Sequence, residues 1–296
     1  VAFVNAQAHR ICDGACLERA RMTSGAGILK LASERIRERR AHALALCLSL
    51  ALVLAYGAFS LWRWDALVRV ELSRGRGVPA RIVQPAFSAH ERWERANVAL
   101  ALEMCIKLSG ESGGETRLVI WPETTLNVPA SVRREVFARV AAYAGPSGTV
   151  IFGGTGGGRG EGARNSAYAV SGGGELSWYD KVILLPFAET SPFGLAIAHR
   201  YYQAPAAFEP GVRSSLLATV AGRVGVSICF ERMFPSFIRD SVRRGAGLLV
   251  NLSNDAWFGR STMPYAHRDI AVMRAEENRR FMLVASNTGV SAVIAP

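Results

Sequence analysis

Residues 224–235 read Val224-Gly225-Val226-Ser227-Ile228-Cys229-Phe230-Glu231-Arg232-Met233-Phe234-Pro235. An apolar strand, Val224–Ile228, runs straight into a thiol, and Pro235 then opens a helical pattern over Phe234–Arg244. A thiol at a strand end is accessible and rigidly held. It becomes a strong nucleophile when a nearby cation raises its thiolate fraction. Four other stretches are marked in the same way: Trp121-Pro122-Glu123-Thr124, Tyr179-Asp180-Lys181, Pro186-Phe187-Ala188-Glu189 and Ser253-Asn254-Asp255-Ala256-Trp257-Phe258-Gly259. Together they offer a carboxylate, an amine and a thiol, the groups needed to attack an acyl carbonyl and hold the acyl group as a thioester.

Around these stretches strands and helices alternate. Ala80–Gln84, Leu118–Trp121, Thr149–Gly153 and Leu248–Asn251 read as short apolar strands. Ser166–Val170 with Leu176–Tyr179 reads as a hairpin around Gly172-Gly173-Gly174, and Ser215–Val220 with Val224–Cys229 as another around Ala221-Gly222-Arg223. Phe281–Ala285 and Ser291–Ile294 close the series of strands. Helices are expected over Ala89–Leu108, with Trp93, Asn97, Leu100, Met104 and Leu108 on one face, and over Ser131–Ala144 and Tyr265–Arg279. The glycine-rich run Gly153–Gly162 lacks the Lys-Ser/Thr of a phosphate-binding loop and reads as a flexible connection. This pattern predicts a layered α/β domain over residues 79–296.

The rest of the chain has a different character. Between Ala41 and Trp62 there is no Asp, Glu, Lys or Arg. At 1.5 Å per residue such a helix reaches roughly 30 Å, enough to cross a hydrocarbon core. Trp62 and Trp64 fit an interfacial anchor at its end. A buried core helix is the competing reading, and the length and charged flank favour the membrane. Residues 42–62 are therefore expected to be a transmembrane helix, 63–78 a linker, and 1–41 a polar, basic segment. Arg35, Arg37, Arg39 and Arg40 precede the run, which predicts residues 1–41 on the cytoplasmic side and the α/β domain on the outer side of the membrane. The same placement makes the net charge of +11 a membrane-surface feature rather than a nucleic-acid footprint. A mean hydropathy of +0.15 agrees with a chain that is only partly soluble. With no initiator Met and no signal-peptide layout, the sequence reads as a fragment.

Five cysteines at irregular spacing form no disulfide framework. Cys12 and Cys16 have no matching Cys/His pair, so a zinc site is not expected. Cys47 and Cys105 read as small buried hydrophobes. Cys229 remains as the candidate nucleophile. Lys181 is the natural cation beside it and a stabiliser for the oxyanion that forms on attack. Glu123 is placed to take the thiol proton and later that of an incoming amine. Singly, such residues are usually core thiols and solvated ion pairs; the three flanking contexts together carry the reading.

Glu123, Lys181 and Cys229 in this order resemble the Glu–Lys–Cys triad of the nitrilase, or carbon–nitrogen hydrolase, superfamily. Ser253–Gly259, His267, Arg274-Ala275-Glu276-Glu277 and Ser286-Asn287-Thr288-Gly289 make the likeness more specific, to the apolipoprotein N-acyltransferase family. The resemblance spans residues 79–296. It implies a four-layer αββα sandwich preceded by a transmembrane helix, with Cys229 as nucleophile, Glu123 as general base and Lys181 as oxyanion stabiliser. It implies transfer of an acyl chain from a phospholipid to the α-amine of a diacylglyceryl-cysteine on an apolipoprotein, with no cofactor and no metal. By motif position Glu189 and Glu231 become supporting carboxylates, Trp93 an aromatic near the entrance, and Phe230 a residue where the family often has Tyr. Asn254 and Asp255 are expected to shape the loop beside the nucleophile, and His267 to be structural. Glu231 has the plainer alternative of pairing with Arg232 or Lys181. Asn165 is read equally well as a turn residue or as part of the site. Glu276 and Glu277 read as helix ion pairs with the neighbouring arginines. The family has more membrane helices than this sequence displays, and Ala266 replaces the Gln that commonly precedes its His. Two other functions are weighed: an amidase passing the acyl group from a small amide to water, and an inactive, truncated remnant.

Overall fold

The computed structural model describes residues 25–73, 77–87, 98–110, 117–126, 128, 132–156, 162–190, 208–212 and 216–296. The chain divides into two compact units, Val1–Gly75 and Arg76–Pro296.

The described part of the first unit is a 49-residue helix, α1, Gly25–Ser73. Among the described residues it is the one helix long and apolar enough to cross a membrane. Leu44, Leu48, Leu52, Phe59 and Trp62 stand exposed along it. Cys47, expected to be buried, is exposed as well, like the leucines around it on the same helix. The linker expected from residue 63 begins later, since α1 continues to Ser73. Residues 63–73 contain neither Gly nor Pro, and Asp65 pairs with Arg69 one turn on, at 2.7 Å. The first strong helix breaker is Gly75.

The second unit holds two five-stranded sheets. The first comprises β1 (Ala80–Ile82), β2 (Leu118–Ile120), β3 (Thr149–Gly156), β4 (Arg164–Ser171) and β5 (Leu176–Asp180), in that spatial order. β1, β2 and β3 run parallel, β4 runs antiparallel to β3, and β5 runs antiparallel to β4 and so in the direction of β1–β3. The second comprises β6 (Leu216–Thr219), β7 (Gly222–Ile228), β8 (Leu248–Ser253), β9 (Met282–Ser286) and β10 (Ala292–Ile294), ordered β10-β9-β8-β7-β6. Here β7, β8 and β9 are parallel, and β6 and β10 are antiparallel edges. Both expected hairpins are present, β4–β5 and β6–β7.

Period-2 alternation builds the layers. Leu118, Ile120, Ile151, Ala167 and Ala169 pack against Val226, Ile228, Val250, Leu252 and Leu283 in a core between the two sheets. The intervening Val119, Trp121, Val150, Phe152 and Tyr168 point the other way. They pack under α2 (Val98–Ser109) and α3 (Arg133–Ala144). On the far side Leu249, Met282 and Val284 pack under α4 (Pro235–Arg243) and α5 (Met263–Asn278), through Ile238, Ala271 and Ala275. The result is the expected four-layer αββα sandwich.

Two local expectations are corrected. In α2 the buried stripe is Leu102, Cys105 and Ser109, whereas Leu100, Met104 and Leu108 of the expected face are 62%, 39% and 51% exposed. Its sequence is apolar on both sides, so spacing alone does not choose the inner face. Ser109 does: its hydroxyl donates to the Cys105 carbonyl at 2.6 Å and accepts the Trp121 indole N–H at 2.8 Å. The N-terminal part of that expected helix, including Trp93 and Asn97, lies outside the described residues. The loop expected at Gly153–Gly162 is strand in its first residues, since Gly153, Gly154 and Gly156 are paired in β3 with Ala167, Ser166 and Arg164; residues 157–161 lie outside the described residues.

Candidate active site

The three residues expected to carry the chemistry, and Asn254, sit where strands of the sandwich end, and Glu189 lies in the loop after β5. Glu123 lies three residues past β2, Lys181 directly after β5, Cys229 directly after β7 and Asn254 directly after β8. Carboxyl ends of parallel strands are where open α/β sheets place ligand sites.

Glu123 is brought there by glycine. A Cβ on Gly153 would stand 2.6 Å from the Glu123 Cα and 2.7 Å from both the Pro122 oxygen and the Thr124 nitrogen. Only a bare backbone in β3 lets the Glu123 segment lie against it. Thr124 adopts φ 49°, Phe187 φ 65° and Cys229 φ 51°. These are left-handed conformations that non-glycine residues rarely adopt. Each is at, or within two residues of, a candidate site residue; Ala86 and Arg279 adopt the same conformation away from the cluster. Cys229 turns out of β7 into a 3-10 turn, Cys229–Met233.

Lys181 is 1% exposed. Its ammonium lies 2.7 Å and 2.9 Å from the two oxygens of Glu189 and 3.6 Å from Glu123 Oε1. Burial works against its charge, but Glu123, Glu189 and the Cys229 side chain outweigh burial and hold the ammonium above the usual lysine range. Asn165 completes this cluster. Its Nδ2 donates to Glu123 Oε1 at 2.8 Å and to Glu189 Oε1 at 2.9 Å. Of its two sequence readings, the geometry selects the site. Glu189 also accepts the Leu185 N–H at 2.8 Å, so it ties the loop after β5 to the lysine.

The Cys229 thiol is pushed up to about 12, first by burial and then by Glu123, against the pull of Lys181 and Arg232. It therefore rests as a thiol at neutral pH, and attack requires a base that removes its proton as the new bond forms. Glu231 pairs with neither Arg232 nor Lys181. Its Oε1 accepts from Tyr179 Oη at 2.6 Å and from the Val182 and Ile183 N–H groups at 2.8 and 3.0 Å, and its Oε2 accepts the Ile228 N–H at 2.8 Å. Burial raises its carboxyl above the ordinary range, against those hydrogen bonds. Glu231 thus clamps the segment carrying Lys181, on one sheet, to the segment carrying Cys229, on the other.

Phe230 packs edge-on against Phe234, ring centroids 5.2 Å apart. Asn254 is buried; its Oδ1 accepts from Ala256 N–H and from Asn287 Nδ2 at 3.2 Å, so it shapes the loop as expected. Asn287, quoted in the sequence without a role, exchanges two 2.9 Å hydrogen bonds with the Phe87 backbone and joins the chain after β9 to the chain after β1. Tyr179 was likewise part of a quoted motif without a role. The detectable signal for both was position: each belongs to a strand-end motif on the parity that faces the site. His267 is buried, with Nδ1 3.0 Å from Asp255 Oδ1, and Arg274 pairs with Glu277 at 2.7 Å, both as expected. Trp93 lies outside the described residues. Among these residues no group of His, Cys, Asp and Glu is arranged to hold a metal ion.

Comparison with known proteins agrees with this architecture. The chain is 32% identical over 229 residues to the apolipoprotein N-acyltransferase of Geobacter metallireducens, covering 74% of this chain and 44% of that protein. It is 34% identical over 252 residues to that of Rhodopseudomonas palustris, covering 77% and 47%. The chain thus spans about half the length of the curated relatives it matches. Among solved structures, Saccharomyces cerevisiae Nit3, a member of branch 10 of the nitrilase superfamily, shares the fold with TM-score 0.51 and 21% identity, over 74% of this chain and 82% of that one. The family profile described as carbon-nitrogen hydrolase matches residues 80–296, the whole extent of the sandwich and its strand-end cluster, and the chain belongs to that family.

Proposed function

We propose that this chain is the catalytic part of a membrane-held N-acyltransferase that moves an acyl chain from a phospholipid to the α-amine of a diacylglyceryl-cysteine on an apolipoprotein. The observation that carries the reading is the Lys181 ammonium, buried between Glu123 and Glu189, in the field of the Cys229 thiol. The relatives' printed name supports the acceptor, and α1 supports the membrane.

In the first step Glu123 takes the thiol proton while the Cys229 sulfur bonds to the ester carbonyl carbon of the phospholipid. The oxyanion is stabilised by Lys181. Collapse breaks the ester C–O bond, Glu123 returns the proton to the departing lysophospholipid oxygen, and a thioester remains. In the second step the acceptor amine attacks that thioester and Glu123 takes the amine proton. The C–S bond breaks, the sulfur recovers the proton, and the product is an amide. Glu189 and Asn165 hold the acid and the ammonium in register, and Glu231 holds the two strand ends together. Residues 1–41 would lie on the cytoplasmic side and residues 79–296 on the periplasmic side of the inner membrane.

The test is acyl trapping with phospholipid carrying a labelled acyl chain, on the detergent-solubilised protein. Label is expected on Cys229, absent in Cys229→Ala, and chased by a lipopeptide amine. Fast hydrolysis of small amides with no label on Cys229 from phospholipid would falsify the acyltransferase reading and favour the amidase.

A further inference from the structure

Cys229 leaves β7 at φ 51°, while Ile228 before it is still extended, at φ −112° and ψ 116°. An L-residue keeps a left-handed turn only where its surroundings enforce it. Glu231 holds the turn through the Ile228 N–H. A second hold comes from the neighbouring strand, β8. Its apolar run Leu248-Leu249-Val250-Asn251-Leu252 is interrupted by one polar residue. Asn251 is fully buried in the central strand of the second sheet, directly opposite Ser227 of β7.

Asn251 grips the backbone on both sides of Ile228. Its Nδ2 donates to Ser227 Oγ at 2.9 Å and to the Ser227 carbonyl at 3.2 Å, and reaches the Cys229 carbonyl at 3.4 Å. The Ser227 hydroxyl donates onward to the Val250 carbonyl at 3.4 Å. Carbonyls only accept, so the amide presents its N–H groups here and not its oxygen. Asn251 shares strand parity with Leu249, which packs under α4 and α5, whereas Cys229 packs in the core between the two sheets. The amide therefore holds the turn from the side away from that core. Two residues further along the same face, Ser253 Oγ accepts from Arg232 Nη2 at 3.1 Å, so β8 ties the Cys229–Met233 turn at two points. Asn251 Oδ1 has no hydrogen-bond partner among the described residues. A leucine would complete the apolar run without burying that acceptor, so packing alone does not ask for an asparagine.

We propose that Asn251 is a positioning residue: by holding the Ser227 and Cys229 carbonyls it keeps Cys229 in its left-handed turn, and so keeps the thiol aligned with Glu123 and Lys181. It touches none of the reacting atoms and acts through the backbone of the nucleophile. The inference rests on Cys229 being that nucleophile, and the test separates the two.

The measurement is pre-steady-state acylation by 4-nitrophenyl butyrate, on the full chain in detergent. Released 4-nitrophenolate is followed by absorbance, and the acyl group is located by mass spectrometry of the peptide bearing Cys229. In that step the Cys229 sulfur bonds to the ester carbonyl carbon, Glu123 takes the thiol proton and 4-nitrophenolate leaves. Asn251→Leu is expected to lower the limiting acylation rate on the order of 10- to 100-fold, the cost of moving a reacting group by about 1 Å. The half-saturating ester concentration and the pH midpoint of the rate should not move, because no charge is removed. Leu249→Ala trims the same face of the same strand; it is expected to lower the melting temperature and leave the acylation rate unchanged. A purely structural Asn251 would give that second pattern. An unchanged rate in folded Asn251→Leu overturns the inference, as does an equal loss of rate in Leu249→Ala. Should the Leu variant not fold, Asn251→Ser, too short to span both carbonyls, carries the test with the same expectation, and an unchanged rate overturns it. Absence of acylation at Cys229 in the native protein sinks the nucleophile assignment itself, and the inference with it.

Discussion

After Cys229, Lys181 is the residue whose removal should be felt most at constant fold. Lys181→Ala leaves Glu123 and Glu189 facing each other with no cation between them and takes away the oxyanion donor. A fall in kcat of about 100- to 1,000-fold is expected, the usual cost of one such donor, with Cys229→Ala inactive in the same assay. Asn165→Ala loses two hydrogen bonds to carboxylates, each worth about 1.5–3 kcal/mol. Because the rest of the cluster holds Glu189 in place, we expect a loss of ~10–100-fold in kcat with KM little changed, measured by steady-state kinetics. His267 and Asp255 set the acid limit. Burial lowers the His267 pKa. Asp255 is lowered too: burial pushes its carboxyl up, but His267, Arg232 and Ser253 outweigh it. Both depressions give stability that is present above the unfolded-state values, about 6.5 for His and 3.9 for Asp, and that is lost as pH falls through the folded ones. The melting temperature should therefore drop first below about pH 6.5, and His267→Asn should remove that early part of the decline. The triad and Glu189 were legible because chemistry and motif marked them. Asn165 was not, because a buried amide between two carboxylates and a turn amide look alike until β3 and β4 are paired. For Glu231 the plainer alternative, a pair with Arg232 or Lys181, is not what the structure has; its contacts are the Tyr179 hydroxyl and backbone N–H groups, which no side-chain pattern announces.

At the level of strands, turns and helices, periodicity reported most of the sandwich correctly. Leu118/Ile120 against Val119/Trp121 is the clean case: alternate residues face different layers, and the strand ends on the acid. It failed where both faces of an element are apolar, as in α2, and where glycine carried two meanings. The run from Gly153 is flexible by composition, yet its first residues are strand because the Glu123 segment packs directly on them. Gly153→Ala is expected to destabilise the protein by about 1–3 kcal/mol, the range for forced overpacking, seen as a lower denaturant midpoint. The same variant should lose more activity than Gly174→Ala: Gly174, at φ 87° in the β4–β5 turn, strains on substitution but has nothing of the candidate site within 4 Å. The linker was misplaced because the absence of charge marks where a bilayer can begin and end but says nothing about where a helix stops.

For the whole molecule, the two units predict different behaviour under extraction. α1 exposes an uncharged run long enough to span a bilayer, so alkaline carbonate should leave the chain in the membrane pellet. Replacing Leu48 and Leu52 with Arg adds roughly 5–7 kcal/mol to insertion on a translocon scale and should release it, as followed by immunoblot of pellet and supernatant. In the sandwich, the acid and the ammonium ride on one sheet and the sulfur on the other, with a hydrocarbon layer between the sheets and the Glu231 carboxylate bridging the seam. The gap between reacting atoms is therefore gauged by the thickness of that filling. Trimming a methyl from Ile120 or Val250, far from any substrate, would act like changing a shim under a vice: the jaws shift and turnover drifts well before the chain unfolds.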